Sequence, residues 1–291
     1  MPGNISKMET CVTPGWNRPE FFKIWTELVC KCQEIDNVLF IFCLDYGYDR
    51  KYDEIIEEFP YDCAVIRMPL SRYKLGKQSH NVLNGMFAGV NHSDGLVFYV
   101  EEDIFPGKDF FRWHRAVHDQ QKDIFCSIGT RNVNTPFKTN GDRNAYYLSD
   151  KPDYQSWGSC FKREKIIELI KPHFNESYLK DPDNYCLRTF PNSFLKGRWT
   201  EQDGLIRRIL ELNKGLVAFP HLPRGYHSGF YGYNRQPGIL GQEYEKRLEL
   251  VREIVFDKDK MRQWCMNDQF YQDSIPVDLD TDFEEQRYVH C

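Results

Sequence analysis

A chain of 291 residues with 41% hydrophobic and 15% aromatic content can bury a full core, which excludes a disordered chain and leaves one large domain or two small ones. A formal charge of −5 excludes a general attraction to phosphates or membrane surfaces, so an anionic partner must meet a local basic patch. No stretch approaches the roughly 18 apolar residues of a bilayer crossing, and MPGNISKMETCV lacks the basic-then-apolar pattern of a secretory signal. The ten cysteines are scattered, with only Cys30 and Cys32 close and no CxxC pair. They read as reduced, packed thiols in a cytoplasmic protein without a membrane span.

In chain order, METCVTP predicts a strand and NRPEFFKIWTELVCKCQ a helix, with Asn17 as its cap and Pro19 in its first turn. NVLFIFCLD predicts a buried strand, DRKYDEIIEEF a helix, CAVIRMP a strand and SHNVLNGMFAGVN a helix. GLVFYV is a fourth strand and ends at Glu101, Glu102 and Asp103. Near-continuous apolar strands joined by helices imply a parallel sheet covered on both faces. KDFFRWHRAVHDQQ then predicts a helix and DIFCSIG a strand, whereas residues 131–160 are polar and read as loops. REKIIELI and EQDGLIRRILELN predict helices, GLVAFP a last strand, and GQEYEKRLELVREIVFDKDKMRQW a long amphipathic helix. No repeat or low-complexity linker interrupts this order.

Ligands of open α/β sheets bind beyond the carboxyl ends of the strands. Asp45, after LFIFCL, and the acids 101–103, after LVFYV, both occupy such ends. Adjacent carboxylates raise one another's pKa unless a cation intervenes. A divalent ion shared with a substrate phosphate would remove that repulsion. The bland reading is a solvated turn, which a fully apolar preceding strand disfavours.

VTPGWNRPEFF resembles the first strand and helix of GT-A nucleotide-sugar glycosyltransferases. GLVFYVEEDIFPGKDFF is similar to their DxD-equivalent segment, in the form found in N-acetylglucosaminyltransferases I and II. The similarity continues in order through SWGSCFKRE, WTEQDGLIRRI and PHLPRGYHSGFYG, roughly residues 8–235. It implies an α/β fold of GT-A (Rossmann-like) type, with a mostly parallel central sheet, helices on both faces, a loop-rich acceptor half and a C-terminal helix. On this reading residues 1–270 form a single catalytic domain, with donor half 8–104, acceptor half 105–238, C-terminal helix 239–270 and acidic tail 271–291.

The resemblance also assigns residues. Thr13, Pro14, Arg18, Asp45, Glu101, Glu102 and Arg224 fall on the donor side, with Tyr226 close to the phosphates; apart from the resemblance, Lys77 belongs to a basic cluster that could grip the donor diphosphate or an anionic acceptor. Asp103 and His227 are the implied ligands of Mn2+ or Mg2+, and Trp157 with Gly158 line the acceptor side. Glu201 is the implied general base, with Thr200 and Asp203 spaced as a capping box, Asp203 replacing the usual Glu or Gln.

The expected function is metal-dependent transfer of a sugar, with inversion, from a nucleotide-sugar (a UDP-sugar foremost) to a hydroxyl. The acceptor is a saccharide or glycoconjugate, or alternatively a hydroxylated base in nucleic acid. Arg67, Arg72, Lys74 and Lys77, with Trp113, Arg112, His114, Arg115 and His118, could form the aromatic, basic rim of a flipped-base pocket. A non-catalytic nucleotide-sugar or glycan binder is the reading from a different class. A sugar-phosphate nucleotidyltransferase would carry a Gly-rich N-terminal loop, and TPGWNRPE is not one.

Overall fold

The computed structural model describes residues 8–130, 145–232 and 236–255, together with 257, 259–260, 263 and 289–290. Strands β1 (Glu9–Gly15), β2 (Val38–Leu44), β3 (Cys63–Arg67) and β4 (Leu96–Tyr99) lie parallel in the order β4-β1-β2-β3. Helices α1 (Pro19–Val29), α2 (Lys51–Glu57) and α3 (Lys77–His92) connect them. Both faces of this block are dry. Cys11, Phe40 and Phe42 join one apolar cluster with α1, and the alternate residues Val12, Ile41 and Cys43 join a second cluster with α3. A period of two buried on both sides is why these strands read as unbroken apolar runs.

The remaining strands extend the sheet beyond β4. Strands β6 (Cys126–Ile128), β7 (Ala145–Ser149), β8 (Ser159–Lys162), β9 (Val217–Pro220) and β11 (Val289–His290) give the full order β11-β7-β9-β6-β8-β4-β1-β2-β3. Five of the eight neighbouring pairs are parallel, and β8 runs antiparallel to both β4 and β6. The sheet is therefore mostly parallel, as expected. Strands β5 (Ile104–Pro106) and β10 (Gly225–His227) form a separate antiparallel ribbon that sets His227 opposite Ile104.

Helix α4 (Phe110–Gln120) follows the ribbon's first strand. Helix α5 (Arg163–Lys165) runs on into a π turn at Ile166–Ile170, and the short helices α6 (Glu176–Lys180) and α7 (Pro182–Thr189) precede α8 (Gln202–Asn213). Helix α9 (Tyr244–Val255) packs on α1. Among the described residues no helix is long and apolar enough to cross a membrane.

Several local expectations are corrected. Arg18, not Asn17, occupies the N-cap of α1, without a side-chain cap. Residues 145–149 and 159–160 of the expected loop belong to strands, because pairing with β9, β4 and β6 supplies what such short segments do not signal alone. The capping box at 200–203 does not form: Glu201 is the N-cap of α8, and the Thr200 hydroxyl donates to Asp183 at 2.5 Å. Residues 131–144 of the expected loop and most of the expected tail lie outside the described residues.

Helix α3 owes its depth to two glycines one turn apart. A Cβ on Gly85 would stand 2.8 Å from Cys43 Sγ and Val12 Cγ1, and one on Gly89 2.8 Å from Val12 Cγ2. Alanine at position 85 gains about 1 kcal/mol of helix propensity, but overpacking costs ~1–3 kcal/mol. Gly85→Ala is therefore expected to destabilise the protein in urea unfolding; a gain in stability would show that α3 is not seated this closely.

Candidate active site

The carboxyl ends of β1, β2 and β4 open on one side of the sheet, and the acids lie there. Glu101, Glu102 and Asp103 are 8%, 6% and 3% exposed, so they form a buried cluster and not a solvated turn. Arg18 reaches across from the start of α1. Its Nη2 and Nε donate to Glu102 Oε1 at 2.9 and 3.2 Å, and Nη1 donates to Asp103 Oδ2 at 2.8 Å and to the Tyr231 carbonyl at 3.3 Å. The Tyr99 hydroxyl donates to Glu101 at 2.9 Å.

The β5–β10 ribbon supplies the next layer. It brings His227 Nε2 to 3.2 Å from Asp103 Oδ2, while the backbone N–H and hydroxyl of Ser228 donate to the Asp103 carbonyl at 2.8 and 3.0 Å. Trp157 stacks on the His227 ring, centroids 4.8 Å apart and planes 17° from parallel. Gly229 is packed directly against this pair, since a Cβ there would fall 2.3 Å from Asp103 Oδ2 and 2.9 Å from His227 Nε2.

Burial raises the pKa of every acid here, and the neighbours then separate them. Glu101 is pushed up to about 8 by burial, reinforced by Asp103, Asp203 and Glu102. Glu102 is also raised by burial, against the opposing pull of Arg18. Burial acts the same way on Asp103, but Arg18 and His227 outweigh it and hold this carboxyl below the usual range. Asp103 is thus the member of the cluster fixed in its anionic form.

These features fit a divalent ion. Asp103 Oδ1 is buried without a hydrogen-bond partner, while Oδ2 of the same carboxylate lies beside an imidazole nitrogen, against a backbone position where only glycine fits. Among the described residues no three His, Cys, Asp or Glu side chains converge as a metal cage. A cation on Asp103 and His227 would therefore take its remaining ligands from a substrate, as Mg2+-type sites do with phosphate oxygens.

Asp203, in the first turn of α8, faces the same cluster. Its Oδ2 accepts from the Ser156 hydroxyl at 3.4 Å, its Oδ1 is buried without a partner, and its charge raises the Glu101 pKa. Burial pushes Asp203 up to about 6, with Glu201 adding to the shift and Arg207 and Ser156 opposing it. Glu201 is exposed, near Gly76. The loop before α8 is clamped from beneath. The buried Arg208 donates to the carbonyls of Lys196, Arg198, Trp199 and Gly204 at 2.6–2.9 Å. Held this way, Trp199 adopts φ +50° and stays 62% exposed, two residues from Glu201.

The other expected residues divide. Thr13 and Pro14 are buried at the end of β1, and Asp45 directly follows β2, its Oδ1 accepting from the Tyr46 N–H at 2.8 Å. Arg224 is corrected: its guanidinium is fully buried and paired with Asp109 at 3.0 Å, with no surface left for a phosphate. Tyr226 donates instead to the Val255 carbonyl at 2.7 Å. Gly158 serves the backbone, with φ +66° and close contact to Phe110. Lys77 begins α3, and its side chain lies outside the described residues.

The flipped-base rim is also corrected. Trp113, His114 and His118 are at most 2% exposed, and Arg115 pairs with Glu9 and Glu34. Arg67 pairs with Asp53, and Lys74 with Asp181 and Asp183. Ser156, Trp199, Arg208 and Gly229 were not singled out from sequence. Only the Arg207-Arg208 pair inside an amphipathic helix hinted that one arginine turns inward.

No family model matches the chain. In sequence it is similar to a human alpha-1,6-mannosyl-glycoprotein 2-beta-N-acetylglucosaminyltransferase, 21% identical over 82% of this chain. The chain spans 63% of the length of that curated relative. This agrees with the N-acetylglucosaminyltransferase resemblance read from the motifs. Solved structures with a similar outline include S. aureus TarS with UDP (TM-score 0.49, 9% identity, 88% of this chain and 68% of that one). Glucosyl-3-phosphoglycerate synthase from Mycobacterium tuberculosis with Mn2+ and UDP-glucose gives 0.44, 13% identity and coverage of 84% and 80%. At these scores the likeness is to an outline and not to a site.

Arg18 is the principal counter-charge of the acids, and removing one partner of a buried pair costs roughly 3 kcal/mol. Arg18→Gln is expected to lower the melting temperature, and Mn2+ to restore stability in the variant by more than it stabilises the wild type. Equal effects of Mn2+ on both proteins would argue against a cation at the acids.

Proposed function

We propose that this chain is a divalent-metal-dependent glycosyltransferase that moves a sugar from a nucleotide-sugar to a saccharide hydroxyl with inversion. The observation that carries this reading is Asp103, a buried carboxylate kept anionic at the carboxyl ends of parallel strands, with one oxygen unpartnered and the other beside His227. Asp103 and His227 would hold the ion, which when bound stabilises negative charge on a departing diphosphate as a Lewis acid. Arg18, already aimed at Glu102 and Asp103, places a fixed positive charge at the same edge. Thr13, Pro14 and Asp45, on neighbouring strand ends, suit the nucleoside.

For the base, geometry favours Asp203 over Glu201. An effective base lies inside the site with a pKa near the working pH. Asp203 faces the acid cluster at about 6, with Oδ1 holding no hydrogen bond that would compete for a proton, whereas Glu201 points to solvent. On this reading Asp203 takes the acceptor's hydroxyl proton as that oxygen attacks the anomeric carbon, and Ser156 orients the carboxylate. Trp199, exposed at the entry to α8 with Arg207 over its ring, presents more free surface to a pyranose than Trp157, which is half-buried and stacked on His227. A flipped nucleic-acid base has no comparable support once its aromatic rim is buried. The human relative's name supports trying N-acetylglucosamine first as donor sugar and a mannosyl glycoprotein first as acceptor.

The test is release of nucleoside diphosphate from UDP-N-acetylglucosamine and other nucleotide-sugars, with and without Mn2+. Turnover of one donor that requires Mn2+ and is lost in Asp103→Asn is expected; no turnover and no binding of any donor would overturn the transferase reading. With an acceptor found, kcat should rise with pH through about 6 and level off, because only ionised Asp203 accepts the proton. Asp203→Asn should lower kcat by ~10²–10⁴-fold, a far larger loss than Glu201→Gln; the reverse order would return the role to Glu201.

A further inference from the structure

Away from the acids, an open cavity of about 470 Å³ lies where α1, α2 and α9 begin, lined by Asn17, Asp49, Lys51, Leu240, Gln242, Tyr244 and Arg247. None of these residues takes part in the reaction proposed above. Arg247 is the unusual member. It is 6% exposed, yet its guanidinium is poorly satisfied. Nη1 donates to the Asn17 carbonyl at 3.4 Å, Nη2 lies 3.5 Å from both Asp49 Oδ2 and Glu20 Oε2, and Nε is buried without a partner. A buried cation normally holds short, charge-assisted bonds of about 2.7–2.9 Å. Here they are long, in a side chain that lines an unfilled space.

The rest of the lining narrows the ligand. Lys51 is 39% exposed, its ammonium 5.5 Å from the Tyr244 ring centroid and 2.7 Å from Glu54, so it adds a second cation at the rim. The starts of α1 and α9, helices of 11 and 12 residues, add partial positive charge. Asp49 opposes a bare anion, because its carboxylate lines the same space. A ligand that also carries hydroxyls resolves this conflict, since Asp49 can accept from one of them. Asn17 and Gln242 provide donors and acceptors for others, while Leu240 and Tyr244 offer apolar surface to a ring's C–H face. The volume lies in the range of small-molecule sites and far exceeds that of a phosphate ion.

We propose that this cavity is a binding site for a hydroxyl-bearing anion, a sugar acid or a sugar phosphate, its acidic group on Arg247 and Lys51 and its hydroxyls on Asp49, Asn17 and Gln242. The site stands independently of the transfer reaction. Its ligand would touch Asn17, the residue before the Arg18 that holds Glu102 and Asp103.

Isothermal titration of the full chain with D-glucuronate and glucose 6-phosphate, against glucose and inorganic phosphate as half-ligands, tests this. At least one of the two acids should bind about 10-fold or more tightly than either half-ligand, the worth of one charge-assisted hydrogen bond. Lys51→Ala and Gln242→Ala change surface side chains and should leave folding intact, and each should weaken binding by roughly 5–10-fold. Arg247→Lys should abolish it. Failure of both acids to bind, binding indifferent to Lys51→Ala and Gln242→Ala, or inorganic phosphate matching glucose 6-phosphate would each overturn the proposal.

Discussion

The site depends on one electrostatic constraint: three consecutive carboxylates are buried at the end of β4, and Arg18 is the cation that makes this tolerable. Burying a carboxylate costs several kcal/mol unless it is paired and hydrogen-bonded. Here one guanidinium serves two of the three acids from the start of α1, while Glu101 takes the Tyr99 hydroxyl and sits high in pKa. The parallel pairing of β1 with β4 makes this possible, because it sets the β1–α1 turn beside the chain leaving β4. The β1–α1 turn and the acids are therefore one electrostatic unit, although some 84 residues separate them in sequence.

Around that unit the ribbon of β5 and β10 acts as a lateral clamp. It registers His227 against Ile104 and so carries an imidazole to the carboxylate just before that strand. Trp157 then fixes the plane of the imidazole. Arg208 ties three loop carbonyls, those of Lys196, Arg198 and Trp199, to the Gly204 carbonyl of α8, which fixes the entry to that helix and turns Asp203 inward while Glu201 turns out. Gly204 is required at this entry, since a Cβ there would meet the Trp199 carbonyl at 1.5 Å. Polarity is thus graded across the site, from a fixed anion at Asp103 to a titratable acid at Asp203.

How legible this was follows from the range of each interaction. The four parallel strands and their helices could be read because burial on both faces leaves continuous apolar runs, and the acids stood out as a break in one of them. Arg18 and His227 were reachable through their motifs, but not the ribbon that joins His227 to Asp103, whose strands have three residues each. Which of Glu201 and Asp203 faces inward was not legible. It turns on which residue becomes the N-cap, and that is set by Arg208 and by Thr200 bonding Asp183. Arg224 misled for the same reason: a basic residue in a glycine-rich segment looks ready for phosphate until Asp109, 115 positions away, is seen beside it.

The measurement closest to the centre of this picture is the anomalous diffraction of crystals grown with Mn2+ and UDP. The expected map has one strong peak about 2.1 Å from the Asp103 carboxylate and from the His227 ring, with diphosphate oxygens completing the shell. Bound UDP with no peak at Asp103, or a peak held by other residues, would contradict the assignment of these acids to metal and donor.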